Sequence, residues 1–146
     1  DGVVRQKPVP TSYHSFIESL LCVLLAVRAK QFFALPELHV RLRPRKFLVP
    51  DLAVVRREMF EHPYPTKPVY LCVEIVSPDD RPEELLAKCE EYHAWGVPYC
   101  WVIDPEQRAA WIYDRHAESV KLRESESLIA GEIEIPLTDL FSQLPQ

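Results

Sequence analysis

Two carboxylates of this 146-residue chain stand in apolar surroundings, where an unpaired charge is costly. Asp51 follows Val49-Pro50 and precedes the apolar run 52–55, and Glu74 interrupts the apolar run 69–76. If the two runs form neighbouring strands, both charges need a shared cation, and their oxygen atoms suit Mg²⁺ or Mn²⁺. Such an ion polarises a phosphate and lowers the pKa of a bound water. The two residues therefore predict a metal-dependent hydrolytic site.

Lys88 is a candidate catalytic cation because it follows Glu74 by 14 residues, in an amphipathic segment after Ser77-Pro78. It could orient an attacking water or stabilise the charge that develops on a phosphorane-like state. Glu84 lies one helical turn before it, and an ordinary ion pair between the two is the alternative. Taken alone, the spacing favours that alternative.

His14 and Glu18 are candidate accessory residues of the site. A helix is expected from Thr11 or Ser12 to about Gln31, because its apolar residues follow three-four spacing. Glu18 lies at the edge of that buried stripe, four residues after His14, which is unusual for a surface carboxylate. A partly solvated Glu18 paired with His14 is the favoured interpretation. The apolar positions are Ile17, Leu20, Leu21, Leu24 and Val27.

A basic stripe is predicted on the strand Leu38–Arg43, where apolar and polar residues alternate. Arg41 and Arg43 share the outer face with His39, and Arg45 and Lys46 extend the stripe. The cations could contact phosphates, or they could protect an exposed strand from aggregation. The residues leave both interpretations open.

The remaining elements predict an α/β fold with a central mixed sheet flanked by helices. Asp79 or Asp80 is expected to cap the second helix, and Gly96 to end it. One domain is expected over residues 1–146, with residues 1–10 mobile and a segment missing before Asp1. Strands are expected at Leu48–Val55, Val69–Val76, Pro98–Ile103, Ala109–Asp114, Ser119–Arg123 and Glu132–Ile135, and helices at about Pro82–Trp95 and Asp139–Leu144.

Composition limits the class of protein. The net charge of −5 argues against tight non-specific binding of nucleic acid by the whole surface. The most apolar stretch, 20–27, is much shorter than the roughly 20 residues that span a bilayer. The four cysteines form no CxxC pair, which indicates buried, reduced thiols of a cytoplasmic protein rather than a zinc site. They are Cys22, Cys72, Cys89 and Cys100.

An ordered set of motifs resembles the Uma-two family of restriction-endonuclease-like proteins, within the PD-(D/E)xK nuclease superfamily. The set comprises Val49-Pro50-Asp51, residues 73–78, Lys88 with Tyr92, and residues 96–105. The resemblance implies a restriction-endonuclease-like core and metal-dependent phosphodiester cleavage.

The resemblance also implies a role for particular residues. Asp51 matches the Asp of the PD element, and Glu74 matches the acidic residue of the second element. Val76 stands where the superfamily carries its lysine, and the family places that lysine on the following helix, at Lys88. Tyr92 matches a tyrosine one turn later. Glu84 departs mildly from the pattern, because relatives often carry Asp there.

The resulting hypothesis is a DNA endonuclease that requires Mg²⁺ (or Mn²⁺). It would bind DNA weakly or structure-specifically, and both plain duplex and branched or structured DNA remain open as its substrate. Asp51, Glu74 and the backbone carbonyl of Ile75 would hold the metal, Lys88 would position the water, and Tyr92 would support Lys88 or the phosphate. Phosphate contacts would come from Arg41, Arg43 and Arg45, and a homodimer would cut both strands.

Two alternatives remain. The first is an inactive module of the same fold that acts in binding or assembly, which the acidic net charge favours. The second makes Asp51 a loop cap and Glu74 the buried partner of an arginine.

Overall fold

A computed structural model describes residues 9–113 and 119–146 of the chain. Besides a short 3-10 helix at Arg57–Met59, three α-helices and ten strands occur in the described residues. In chain order they are α1 (Ser12–Arg28), β1 (Phe32–Pro36), β2 (Val40–Arg43), β3 (Lys46–Leu48), β4 (Leu52–Arg56), β5 (Leu71–Ile75), α2 (Pro82–Trp95), β6 (Tyr99–Asp104), β7 (Ala109–Tyr113), β8 (Ser119–Lys121), β9 (Ser127–Ala130), β10 (Ile133–Pro136) and α3 (Leu137–Phe141).

A six-stranded mixed sheet forms the centre, with its strands in the order β1-β4-β5-β6-β7-β8. Only β5 and β6 pair in parallel, because α2 crosses over between them; the other neighbours are antiparallel. Two hairpins, β2–β3 and β9–β10, form separate two-stranded sheets. This architecture confirms the predicted α/β fold with a mixed sheet flanked by helices.

Two apolar layers cover the faces of the sheet. Ile17, Leu21 and Leu25 of α1 pack on one face together with α3 and the β9–β10 hairpin. On the other face, α2 packs together with the β2–β3 hairpin. The predicted helical stripe on α1 is correct for Ile17 and Leu21, whereas Val27 is 63% exposed.

The alternation of β5 sets Glu74 within the α2 layer. Val73 and Ile75 belong to the α1 layer, while Cys72 packs in the α2 layer, so Glu74 faces α2 as Cys72 does. Leu52 of β4 pairs with Val73 in antiparallel register. One residue further along this register, Asp51 comes opposite Glu74.

Several sequence predictions of element boundaries are wrong. Helix α1 ends at Arg28 rather than near Gln31, because Ala29 leaves the helical conformation. The predicted strand Leu48–Val55 is split into β3 and β4, since Pro50 has no N–H to donate and the chain bends at Asp51. Strands β1 and β9 were not predicted, and the last helix begins at Leu137 rather than Asp139.

The predicted cap of α2 is also wrong. Arg81 occupies the N-cap position without a side-chain hydrogen bond, and Asp80 instead accepts a hydrogen bond from the Ser77 N–H at 2.8 Å. Most of the predicted mobile segment 1–10, and Asp114 at the end of a predicted strand, lie outside the described residues. No helix within the described ranges is long and apolar enough to cross a membrane.

Gly96 ends α2 and thereby fixes the helix that carries Lys88 and Tyr92. Its φ of 119° lies in a region that disfavours side chains, and its N–H donates to the carbonyls of Tyr92 and His93. A Cβ at this position would lie 2.9 Å from Cγ of Pro68. Both backbone and space therefore require glycine.

We expect Gly96→Ala to lower the free energy of unfolding by about 1–3 kcal/mol, because it adds backbone strain and a close contact. Urea unfolding followed by circular dichroism measures the effect. Ala94→Ser, on the exposed side of the same helix, is the control and should cost less than about 0.5 kcal/mol. An unfolding midpoint unchanged in Gly96→Ala would contradict this account of the helix end.

Candidate active site

An acidic cavity of about 280 Å³ lies where the chain enters β4 and leaves β5, between α1 and α2. Its lining includes five carboxylates and a single lysine, Lys88, together with His14. The carboxylates are Glu18, Glu37, Asp51, Glu74 and Asp80. Such a concentration of negative charge around little positive charge is unfavourable unless protons or cations compensate it.

Asp51 is almost completely buried and contacts two other elements of the fold. Its Oδ2 accepts a hydrogen bond from the Ile75 N–H at 2.6 Å. Its Oδ1 lies 3.3 Å from Nε2 of His14, which belongs to the first turn of α1. The carboxylate thus connects the start of β4 with the end of β5 and with α1.

Glu74 is also buried, and α2 contacts both of its carboxylate oxygens. Oε2 accepts a hydrogen bond from the Tyr92 hydroxyl at 2.6 Å, and Oε1 lies 3.6 Å from Nζ of Lys88. Lys88 and Tyr92 are one helical turn apart, so they reach the same carboxylate from one face of α2. The Lys88 side chain is 29% exposed, which places its ammonium group between Glu74 and solvent.

Tyr92 acts as a hydrogen-bond donor rather than as a base. Burial, and then the charge of Glu74, raises the pKa of Tyr92 well above its usual value. The phenol therefore keeps its proton and holds Glu74 in position.

Glu18 shares its surroundings with a second acid, Glu37. Burial raises the pKa of Glu18 from 4.5 to about 7; the hydrogen bond and charge of Glu37 and the charge of Asp51 add to the rise, whereas His14 opposes it. Glu37 itself has a φ of 53°, and its N–H donates to the Asp51 carbonyl at 3.1 Å. This conformation is unfavourable for a non-glycine residue, so the surrounding contacts must hold it.

The donor set fits a divalent cation. His14, Glu18 and Asp51 each offer one ligand atom, and these atoms lie within 4.8 Å of one another. Glu18 Oε1 is buried and has no hydrogen-bond partner among the described residues. Carboxylates suit Mg²⁺ and Mn²⁺, and the imidazole adds a ligand more typical of transition metals.

The structure brings most of the predicted site residues together. The Tyr92 hydroxyl contacts Glu74 from α2. The same cavity is lined by Asp51, Glu74, Ile75, Lys88, His14 and Glu18. Their catalytic and metal-binding roles stay predictions.

Other predicted residues lie elsewhere. Glu84 is not among the cavity residues, and its carboxylate lies 4.0 Å from Arg81. The three arginines at positions 41, 43 and 45 belong to the β2–β3 hairpin and its turn. His14 lies near Glu18, with ligand atoms of the two side chains within 4.8 Å, and it also contacts Asp51. Lys88 contacts Glu74.

Glu37 and Asp80 are cavity residues that sequence reasoning missed as site candidates. Glu37 follows a strand that showed no alternation, so nothing in the sequence placed it near Asp51. Asp80 was interpreted only as a helix cap. The sequence did contain an indication for Asp80, since this residue follows the apolar run around Glu74 by a few positions, shortly after Ser77-Pro78.

The cysteines have no direct part in the cavity. Cys72, Cys89 and Cys100 are buried and Cys22 is half-buried, and all four are free thiols. Sγ of Cys89 lies 3.1 Å from Sγ of Cys100, and that hydrogen bond, followed by burial, raises the pKa of Cys100 well above its usual value. These free thiols pack as small apolar groups, as predicted, except that Cys22 is only half-buried.

The fold and the acidic cavity define a restriction-endonuclease-like protein. Residues 1–142 match the Uma2 family, whose description is "Putative restriction endonuclease", and the chain belongs to this family. This confirms the resemblance found in the sequence.

A crystal structure of "a putative nuclease belonging to DUF820" from Anabaena variabilis ATCC 29413 has the same fold. The TM-score is 0.83 at 24% sequence identity, over 97% of this chain and 87% of that chain. A search of curated proteins found no match.

Glu18 should make the stability of the metal-free protein depend on pH. The folded state binds the Glu18 proton more tightly than the unfolded chain does, so the stabilisation is complete below pH 4.5 and is lost as the pH rises through about 7. Urea unfolding in EDTA between pH 4 and pH 8 measures this loss. Glu18→Gln should flatten the profile relative to the unmutated protein, and identical profiles would contradict the raised pKa.

Tyr92→Phe should lower the free energy of unfolding by about 1–3 kcal/mol, because it removes a donor from a buried carboxylate. Tyr13→Phe is the matched control, since the Tyr13 hydroxyl donates to the Pro145 carbonyl in an exposed setting. That control should cost less than about 1 kcal/mol. Equal losses in the two variants would show that the hydroxyl of Tyr92 has no special part in holding Glu74.

Proposed function

We propose that this protein is a divalent-metal-dependent nuclease that hydrolyses phosphodiester bonds of DNA in the acidic cavity, with residues 1–146 as one domain. The observation that carries the proposal is the position of Asp51. It comes opposite Glu74 in the strand register, and its carboxylate lies within reach of His14 and Glu18. Membership of the Uma2 family supports the same chemistry.

Asp51 would hold the cation together with Glu18, Glu74 and the backbone carbonyl of Ile75. The buried Oε1 of Glu18, which lacks a hydrogen-bond partner among the described residues, supports its inclusion. His14 would complete the set or orient Asp51 through its contact with Oδ1. When bound, Mg²⁺ or Mn²⁺ supplies charge neutralisation at the scissile phosphate and a lowered pKa of a coordinated water.

Lys88 would orient the attacking water and stabilise negative charge on the phosphate oxygens. Its ammonium lies beside Glu74 at the boundary with solvent, where a phosphate can approach it. Val76 occupies the place of the lysine expected on the strand and offers no charge. Tyr92 is a positioning residue, because its hydroxyl fixes the carboxylate that Lys88 contacts.

Cutting both strands of a duplex takes two active sites or two separate events, so we propose a homodimer with one cavity per strand. Sedimentation equilibrium measures the molecular mass. A monomer across the concentration range of the cleavage assay would contradict the dimer and leave single-strand nicking as the reaction.

The nuclease proposal predicts different outcomes for Asp51 and Lys88. Asp51→Asn should weaken Mn²⁺ binding in calorimetry and abolish plasmid cleavage, because it removes the central anionic ligand. Lys88→Met should retain Mn²⁺ binding and lower the cleavage rate about 100-fold to 1,000-fold, as expected on losing one charge-stabilising group.

Glu84→Gln is the control for both variants, since Glu84 lies on the same helix outside the cavity lining. Its cleavage rate should equal that of the unmutated protein. Cleavage by Asp51→Asn at the unmutated rate would refute the proposed site. An unmutated protein that binds Mn²⁺ but leaves every DNA substrate intact would instead identify an inactive module of this fold.

A further inference from the structure

The β2–β3 hairpin concentrates positive charge in an acidic protein. Residues 38–50 contain four cationic side chains and no carboxylate, although the whole chain has a net charge of −5. We call this segment the basic hairpin. The cations are Arg41, Arg43, Arg45 and Lys46.

The solvent face of the basic hairpin also carries aromatic rings. Arg41 and Phe47 are cross-strand partners, so their side chains share one face. The Phe47 ring lies 6.3 Å from the His39 ring and 5.2 Å from the Tyr64 ring, between centroids. His39 is exposed, whereas Phe47 and Tyr64 are half-buried. Arg41 thus lies on the same face as ring surfaces that solvent can reach.

The opposite face anchors the basic hairpin to the protein. Val40 is completely buried in the layer that contains α2. The Arg41 N–H also donates to the Pro65 carbonyl at 3.3 Å, which fixes β2 beside the loop that carries Tyr64. Arg41 and the rings are therefore presented on a supported surface. An ion pair of 4.0 Å between Arg43 and Glu91 is largely exposed, so a phosphate can replace it.

The residues that flank the basic hairpin on both sides line the acidic cavity. Glu37 precedes it and Asp51 follows it; both line the cavity, and the Glu37 N–H donates to the Asp51 carbonyl at 3.1 Å. Phe47 is four residues from Asp51, a span of at most about 14 Å in an extended chain. Each DNA strand has a phosphate about every 3.4 Å along a duplex, so a few nucleotides cover this distance.

We infer that the basic hairpin binds a stretch of DNA strand with unpaired bases next to the phosphodiester that is cut. The guanidinium groups of Arg41, Arg43 and Arg45 contact phosphates, and Phe47 and Tyr64 stack on bases. Paired bases are stacked on each other and cannot reach these rings, whereas splayed bases can. This inference rests on the proposed nuclease function and specifies its substrate as DNA with a single-stranded segment.

The test uses fluorescence anisotropy of the metal-free protein in EDTA, with labelled single-stranded and duplex 20-mers at several salt concentrations. The unmutated protein should bind the single strand more tightly. Phe47→Leu, which keeps an apolar side chain, should weaken single-strand binding about 5-fold to 150-fold, the range for loss of one stacked base, with an unchanged salt slope. Arg41→Gln, Arg43→Gln and Arg45→Gln together should reduce the slope of log K against log [salt] by about 2.

A matched triple variant, Lys30→Gln, Lys121→Gln and Arg123→Gln, changes the net charge equally with exposed cations elsewhere. Its slope should stay within about 0.5 of the unmutated value. Thermal unfolding confirms that each variant is folded. An equal loss in this control, equal affinity for duplex and single strand, or unchanged binding by Phe47→Leu would overturn the inference.

The binding test also distinguishes a failure of this inference from a failure of the proposed function. Binding without metal does not require cleavage, so hairpin variants can lose single-strand binding even if the protein never cuts DNA. Conversely, cleavage that depends on Asp51 but not on the basic hairpin would support the nuclease and refute the hairpin as its substrate-binding surface. If the arginines only protect a strand edge, their removal would cause aggregation without a change in DNA affinity.

Discussion

The hydrogen bond from the Ile75 N–H to the Asp51 carboxylate connects the parts of the cavity. It joins the end of β5 to the residue before β4 at 2.6 Å, while the other oxygen of Asp51 contacts His14 and its carbonyl accepts the Glu37 N–H. The Asp51 carboxylate therefore positions two strands and a helix, and the backbone carbonyl of the same residue positions the base of the hairpin. Each contact depends on the negative charge or the position of Asp51, so both the site and the local fold depend on this residue.

The five carboxylates of the cavity are held in different ways. Glu74 has a phenol on one oxygen and an ammonium beside the other, so α2 compensates its charge within the protein. Glu18 has a buried oxygen with no hydrogen-bond partner in the described chain, and its pKa is raised to about 7. Below about pH 7 a proton compensates that group in the metal-free protein, and a bound cation would displace this proton. Within the proposed site, the fold itself therefore compensates much of the charge of Glu74, whereas the charge of Glu18 depends more on a proton or a bound cation.

The sequence predicted the residues whose charge conflicts with their surroundings. Asp51 and Glu74 were identifiable because each adjoins an apolar run, and burial makes such charges informative. Glu37 was not identifiable, because its position depends on a left-handed backbone conformation and on the base of a hairpin. The same limit explains the missed strand β1, whose residues show no period, and the exposed Val27, whose face of α1 is decided by tertiary packing.

Lys88 shows a different limit of prediction from sequence. Its helical spacing from Glu84 favoured an ordinary surface ion pair, and only the family resemblance assigned it to the site. Val76 occupies the strand position where a lysine was expected. Its N–H donates to the Ile103 carbonyl at 2.7 Å, which continues the pairing between β5 and β6 beyond Ile75.

A lysine on the strand would be positioned by the sheet itself, whereas Lys88 is positioned by the packing of α2. The apolar contacts of Leu85 and Cys89 against the sheet, the Tyr92 hydrogen bond and the glycine end of the helix therefore all act on the ammonium group. A displacement of α2 by about 1 Å would alter its alignment with a reacting phosphate enough to slow cleavage strongly. Packing far from the cavity is thus part of the proposed chemistry in this protein, because a helix holds the Lys88 ammonium, whereas the ends of two strands hold the Asp51 and Glu74 carboxylates.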